Sequence, residues 1–270
     1  MLLALLTAVA LWIGQLFGPT GFYFALTIVL LMNVGMYFFS DKLALMMYRA
    51  QEVTPQQQPV LHRLVQEVAH KAKIPKPRVY IINSATPNAF ATGRNPKHGV
   101  VAFTTGIMSL LTERELKGVI AHEIAHIKNR DILITTIAAS IAGLISYLAT
   151  MAQWAAIFGS RDQSMGSLAQ LLVMSILAPI IALIIRMAVS RAREYYADKR
   201  GAEFINDPEA LASALEKLEG GVKRRPMQHG PQAGESLFII NPFAGKSFLK
   251  ILSTHPETSE RVKRLRAMRV

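Results

Sequence analysis

The chain has 270 residues, of which 51% are hydrophobic, with a formal net charge of +12 and a mean hydropathy of +0.28. The absence of cysteine excludes disulfides and thiolate metal sites, so any metal must be held by histidine and carboxylate side chains. The positive mean hydropathy is high for a water-soluble domain and indicates membrane-spanning segments.

Four long runs without a charged side chain predict four transmembrane helices in two hairpins. The sequence Gly18–Gly21 separates the first two runs, 1–17 and 21–40, each of which approaches the roughly 20 residues that a spanning helix needs. The other two runs are 132–158 and 168–185. A cleavable signal peptide for the first run, or a pair of buried core helices for the last two, is the alternative. The lack of a basic start and the length of the third run disfavour them.

Basic residues are concentrated in the two polar segments, with 13 lysines and arginines in 41–131 and 15 in 190–270. By the positive-inside rule both segments are predicted to be cytoplasmic. Topology and lipid headgroups explain the basic balance, so no nucleic-acid partner is predicted. The predicted organisation is transmembrane hairpin 1–40, catalytic part 41–131, transmembrane hairpin 132–189 and catalytic part 190–270.

The polar segments predict an α+β fold that is mostly helical, with a small β-sheet. A capping box, Thr112 with Glu115, marks the start of a helix predicted to run through residue 131 into the third span. The other predicted elements, in chain order, are a helix at 55–73, a strand at 78–82, an extended piece at 88–92, a strand at 99–103, helices at 190–205 and 208–219, a loop at 220–234 and a last helix after Pro256.

The string His122-Glu123-Ile124-Ala125-His126 lies within the helix that starts at Thr112. Residues four apart share one helix face, so both imidazoles can reach one metal ion, and Glu123 projects beside them as a general base. A surface helix with two solvated histidines is the alternative for this string taken alone.

A catalytic zinc ion takes three protein ligands, and no third histidine follows on the same helix. Glu194 is the predicted third ligand because it emerges directly from the fourth span, as the histidine pair directly precedes the third. Asp198 lies one turn later on the same face and is predicted to accept the outer N–H of a ligand histidine. Packing of the third and fourth spans as a hairpin would bring these helices together.

Four motifs together carry a family resemblance: His122–His126, Ser190–Asp198, Asn88–Gly93 and Ser253–Pro256. The chain resembles HtpX-type membrane metallopeptidases, within the gluzincin group that also contains the type I CAAX prenyl proteases. The resemblance implies a gluzincin-like domain with one zinc ion per chain. It also implies an endopeptidase of the stress response that cuts damaged or misfolded membrane proteins on the cytoplasmic side of the bacterial inner membrane.

The resemblance also implies roles for three further residues. His255 would donate to the oxyanion, and Asn88 and Ala89 of an edge strand would contact an extended substrate. For Arg261 a helix-surface arginine is the favoured interpretation, and assistance to His255 or contact with the substrate is the alternative. The expected partners are membrane lipids and membrane-protein or unfolded polypeptide substrates. The competing functions are a CAAX-type processing protease, disfavoured by the four spans, and an inactive membrane scaffold, disfavoured by the intact general base.

Overall fold

The structure is a computed structural model that describes residues 11, 15, 18–131, 134–135, 165–227, 238–240 and 256–269. The chain divides into two compact units, Met1–Phe38 with Ile134–Val189 and Phe39–Leu133 with Ser190–Val270. His255 and most of the first and third predicted spans lie outside the described residues.

Helices dominate the described residues, and a small sheet accompanies them. The helices are α1 (Gly18–Met47), α2 (Pro59–Ala72), α3 (Thr105–Leu110), α4 (Glu113–Lys128), α5 (Met165–Ile205), α6 (Pro208–Arg224) and α7 (Thr258–Arg266). The strands are β1 (Gln51–Glu52), β2 (Arg78–Ile82), β3 (Ala89–Thr92) and β4 (Val100–Thr104), with a short 3-10 helix at Pro96–His98. The predicted α+β class is confirmed.

The first unit contains the parts of α1 and α5 that carry the second and fourth predicted spans. Within the described residues, no helix combines the length and the apolar character that crossing a membrane requires. The four spans therefore stay a prediction. Both helices expose large apolar side chains, among them Tyr23, Phe24, Leu30, Leu31, Val173, Ile181 and Ile184.

The sheet of the second unit has the order β1-β2-β4-β3. Strands β2 and β4 are parallel, whereas β3 pairs with β4 in antiparallel fashion, with Ala91 opposite Val101. The bounds predicted for β2 are confirmed, and β4 starts one residue later than predicted. The two-residue β1 escaped prediction because a strand this short and exposed has no alternating pattern.

Helix α4 lies in the core of the second unit, where its apolar face packs with α2, α6 and the sheet. The predicted capping box is present: the Thr112 side chain accepts from the Glu115 backbone N–H, and the Glu115 carboxylate accepts from the Thr112 backbone N–H. The prediction that this helix continues through residue 131 is wrong. It ends at Lys128, and Arg130 adopts a left-handed conformation with φ 55° that breaks the helical path.

A polar cluster joins α4 to α6. The carboxylate of Glu115 accepts hydrogen bonds from Ser213 Oγ at 2.6 Å and from Lys217 Nζ at 2.8 Å. Burial alone raises the pKa of Glu115, but the hydrogen bonds from Lys217, Ser213 and Thr112 outweigh it and lower the pKa to about 2. Helix α6 itself continues to Arg224, beyond the predicted end at residue 219.

Candidate metal centre

The two histidines of α4 face the same point. Their ring centroids are 4.6 Å apart with the planes at 89°, and the Nε2 atoms of His122 and His126 are 3.0 Å apart. His122 is buried and His126 is partly exposed. The spacing of four residues therefore places both imidazoles as the sequence predicts.

Glu194 of α5 completes a three-residue cluster. Its Oε2 lies 3.7 Å from His122 Nε2, and its Oε1 lies 3.6 Å from His126 Nε2. The three donor atoms all lie within 4.8 Å of one another. Helix α5 can come this close because Gly201 faces α4: a Cβ at this position would lie 2.9 Å from the backbone nitrogen of His122.

The outer nitrogen of His122 is bonded to Asp198, with 2.9 Å between Nδ1 and Oδ1. Burial lowers the pKa of His122 to about 4, in spite of the opposing effect of Asp198. Burial raises the pKa of Asp198, but Arg261 and His122 outweigh it, so the net shift is downward. A neutral His122 that donates from Nδ1 to the Asp198 carboxylate presents the lone pair of Nε2 to the cluster.

The outer nitrogen of His126 is bonded to Asp131, a residue that the sequence reasoning missed. His126 Nδ1 lies 2.5 Å from Asp131 Oδ2, and Asp131 also forms an ion pair with Arg193 of α5. The left-handed turn at Arg130 carries the chain back toward His126. The sequence offers one signal for this contact: an acidic residue just beyond the end of the helix that carries the histidines.

Glu123 lies beside the cluster and is only 2% exposed. Burial raises its pKa to about 7. The backbone N–H of Ala91 in β3 opposes this shift and lowers the pKa of Glu123 in part. The structure thus brings the predicted general base together with the edge strand of the sheet.

Arg261 of α7 is 2% exposed, so the favoured interpretation as a helix-surface arginine is wrong. It donates to Asp198 from Nε at 2.8 Å and from a terminal nitrogen at 2.7 Å. Its other terminal nitrogen donates to the Ile239 carbonyl at 3.0 Å and lies 3.5 Å from Glu194 Oε2. Burial lowers the pKa of Arg261, but Asp198 and the other carboxylates outweigh it and raise the pKa above its ordinary value. A charge buried so deeply needs these partners.

Asn88 and Ala89, the predicted substrate contacts, are fully buried. The side-chain amide of Asn88 donates to the Ile240 carbonyl at 2.7 Å, and the Ala89 carbonyl accepts from the Ile239 backbone N–H at 3.1 Å. The structure therefore brings both residues together with Arg261 around the backbone of residues 239 and 240. His255 lies outside the described residues.

The donor set fits a metal ion of the zinc type. Two imidazole nitrogens and one carboxylate oxygen leave a fourth position open for water, as in catalytic zinc sites. Tetrahedral bonds of ~2.0–2.2 Å separate neighbouring ligand atoms by about 3.3–3.6 Å. The separations of 3.0, 3.6 and 3.7 Å among His122, His126 and Glu194 bracket this range.

The site combines a histidine pair on one helix, a carboxylate from a second helix and a buried glutamate beside them. This combination is typical of a metal-dependent peptidase. The model of the family described as Peptidase family M48 matches residues 55–269. The chain belongs to peptidase family M48, and its predicted activity as a metalloprotease is confirmed.

Relatives match along almost the whole chain. The "Protease HtpX homolog" of Syntrophobacter fumaroxidans is 49% identical over 274 residues, 99% of this chain and 97% of the relative. The "Protease HtpX homolog" of Thermodesulfovibrio yellowstonii is 51% identical over 272 residues, 99% of this chain and 96% of the relative. The predicted resemblance to HtpX-type metallopeptidases is thereby confirmed.

The fold is also similar to the crystal structure of S. mikatae Ste24p, with a TM-score of 0.63 and 17% sequence identity. The match covers 95% of this chain but spans only 61% of the length of the Ste24p chain. At this identity the similarity shows a shared fold.

Proposed function

We propose that this metalloprotease is a zinc-dependent endopeptidase with His122, His126 and Glu194 as metal ligands. The convergence of their three donor atoms within 4.8 Å carries the proposal. The carboxylates of Asp198 and Asp131 support it, because each holds the outer nitrogen of one imidazole and fixes the tautomer that a metal requires.

The buried carboxylate of Glu123 is the general base in this proposal. When bound, zinc would polarise the scissile carbonyl and acidify a water molecule. Glu123 takes the proton from the attacking water and delivers it to the leaving amine. His255 donates a hydrogen bond to the carbonyl oxygen as negative charge develops there. The support for His255 is the Ser253–Pro256 motif.

An extended polypeptide is the proposed substrate form. The position of β3 at the end of the strand order favours pairing with a substrate backbone, since no further strand of this order lies on its outer side. Asn88, Ala89 and Arg261 offer hydrogen-bond donors and acceptors to the main chain of a substrate. Binding through the main chain tolerates many side-chain sequences in the substrate.

Membrane anchoring through four spans in two hairpins is part of the same proposal. The uncharged runs in the sequence support it, and so do the exposed apolar side chains of α1 and α5 in the first unit. The distribution of basic residues favours a cytoplasmic catalytic unit at the bacterial inner membrane. Damaged membrane proteins and unfolded polypeptides are the proposed substrates. Extraction of membranes at alkaline pH, which removes peripheral proteins, tests the anchoring.

The central experiment measures metal content and proteolysis of the purified full-length chain. The substrates are an unfolded polypeptide and, in parallel, a prenylated peptide that tests for CAAX-type processing. Glu123→Gln removes the general base but keeps the shape of the side chain, so we expect one zinc ion per chain and a loss of cleavage of about 100-fold or more.

Glu113→Gln is the matched control, because Glu113 is an exposed acid in the first turn of the same helix. It should retain both zinc and activity. Undiminished cleavage by Glu123→Gln would remove Glu123 from the mechanism, and absence of zinc from active wild-type protein would refute the metal assignment.

A further inference from the structure

The outer edge of β3 is already paired with another part of this chain. Phe238 forms an antiparallel bridge with Phe90, and the Ile239 backbone N–H donates to the Ala89 carbonyl at 3.1 Å. Phe238 and Ile239 are only 1% and 2% exposed. The short segment Phe238–Ile240 thus lies along the sheet as an added strand would.

The main-chain groups of this segment bind the residues proposed to hold the substrate. The Ile239 N–H donates to the Ala89 carbonyl, and the Ile239 carbonyl accepts from Arg261 at 3.0 Å. Ile240 makes two bonds with the Asn88 amide: its carbonyl accepts at 2.7 Å, and its N–H donates to Oδ1 at 3.5 Å. All four polar backbone groups of the two isoleucines are therefore engaged.

The segment also lies next to the metal ligands. The Arg261 nitrogen that binds the Ile239 carbonyl lies 3.5 Å from Glu194 Oε2. On the other side, β3, the strand that the segment pairs with, packs against helix α4, which carries Glu123 and both histidines. A peptide bound between the edge strand and the metal centre would occupy this position.

We propose that Phe238–Ile240 is an internal occupant of the substrate groove, so that an extended substrate must displace it before cleavage. This inference rests on the proposed peptidase function of the same site. Two forms of the protein follow, with the groove closed by the segment or open to substrate. The apparent affinity for substrate is the intrinsic affinity reduced by the fraction of open molecules.

Phe238 is the main apolar anchor of the closed form. Its ring centroid lies 4.9 Å from that of Tyr48 and 5.5 Å from that of Phe90, both in edge-to-face geometry. A substrate with an aromatic residue at the corresponding position would recover these contacts. Such substrates should therefore displace the segment most readily.

The first test is Ile239→Pro in the full-length, zinc-loaded protein. Proline removes the N–H that bonds to the Ala89 carbonyl, so the closed form is weakened. We expect KM for an unfolded polypeptide to fall about 2- to 10-fold, the factor that corresponds to one neutral hydrogen bond, with kcat unchanged. An unchanged or higher KM would overturn the proposal.

Val53→Pro is the matched control. It removes a bond of the same length, 3.1 Å to the Val79 carbonyl, at the opposite edge of the sheet. We expect it to leave KM unchanged. A fall in KM with this variant too would attribute the effect to general loosening of the sheet and contradict the proposal.

The second test does not need the proline variant to fold or any enzyme turnover. Hydrogen exchange is followed at residues 239 and 240 in zinc-loaded Glu123→Gln, with and without the synthetic peptide Ser-Leu-Phe-Ile-Ile-Asn-Pro, the sequence of 236–242. Faster exchange with the peptide shows displacement of the segment. Unchanged exchange at saturating peptide shows a permanent strand and overturns the proposal. Loss of cleavage by Glu123→Gln decides the peptidase function separately.

Discussion

Gly201 is the position where a single methyl group should disturb the metal centre most directly. In Gly201→Ala the new Cβ would lie 2.9 Å from both the Ala121 carbonyl carbon and the backbone nitrogen of His122. Ordinary carbon contacts require about 3.5–4.0 Å, so α4 and α5 must separate by about 0.6–1 Å. Asp198 and Glu194 lie one and two turns earlier on α5. They therefore move away from His122 together with this helix.

Both the stability of the protein and its affinity for zinc should fall in Gly201→Ala. Overpacking costs about 1–3 kcal/mol, and the better helix propensity of alanine returns up to ~1 kcal/mol. Metal ligands must be held within about 0.5 Å of their working geometry, and the separation expected for α4 and α5 exceeds this tolerance. We therefore expect zinc affinity to fall by on the order of tenfold or more, with a parallel loss in kcat/KM.

Competition of the purified protein with a chromogenic chelator measures the zinc affinity, and thermal unfolding measures the stability. Gly220→Ala is the control, since a Cβ at Gly220 would meet only Arg224, at 3.8 Å, within α6. It should keep zinc binding and activity. The reasoning is refuted if Gly201→Ala retains both zinc affinity and kcat/KM within twofold of the wild type.

Two further predictions concern the acids around α4. Asp131→Asn weakens the partner that orients His126, so zinc affinity should fall about 10-fold or more in the chelator assay. Asp207→Asn is its control, because Asp207 pairs with Arg114 at 2.7 Å outside the metal centre; equal zinc affinity of both variants would refute the role of Asp131. The pKa of Glu115 is lowered from an ordinary 4.5 to about 2 in the folded protein. Its contribution to stability is therefore present above pH ~4.5 and lost as pH falls toward 2. The free energy of unfolding of Glu115→Gln should be lower than that of the wild type by on the order of 3 kcal/mol at pH 7, with the gap closing below pH 4.5. A gap in urea unfolding that stays constant with pH, or that appears equally in Glu113→Gln, would contradict this.

The sequence predicts those features of the site that depend on local periodicity. Four-residue spacing on a helix fixes the common face of His122 and His126, and the capping box fixes the start of that helix. Glu194 could be selected because charged residues reappear immediately after a long uncharged run. These inferences need only the geometry of one helix or the order of segments along the chain.

Features that depend on a turn or on distant packing escaped prediction. Asp131 reaches His126 only through the left-handed turn at Arg130, and a helical pattern drawn through residue 131 hides that turn. The burial of Arg261 is equally invisible in a helix rich in basic residues. The contact between Asn88 and Ile240 joins residues 152 positions apart, and no periodicity reports such a pairing.

The order of the site residues along the chain has a consequence for synthesis. Asn88 and Ala89 leave the ribosome first, followed by His122, Glu194, the segment Phe238–Ile240 and finally Arg261, whose guanidinium binds Asp198 and the Ile239 carbonyl. A nascent chain shorter than 261 residues lacks the cation that neutralises Asp198 and fixes the Ile239 carbonyl. The complete set of contacts around Asp198 and the Ile239 carbonyl therefore forms only after Arg261 has been synthesised.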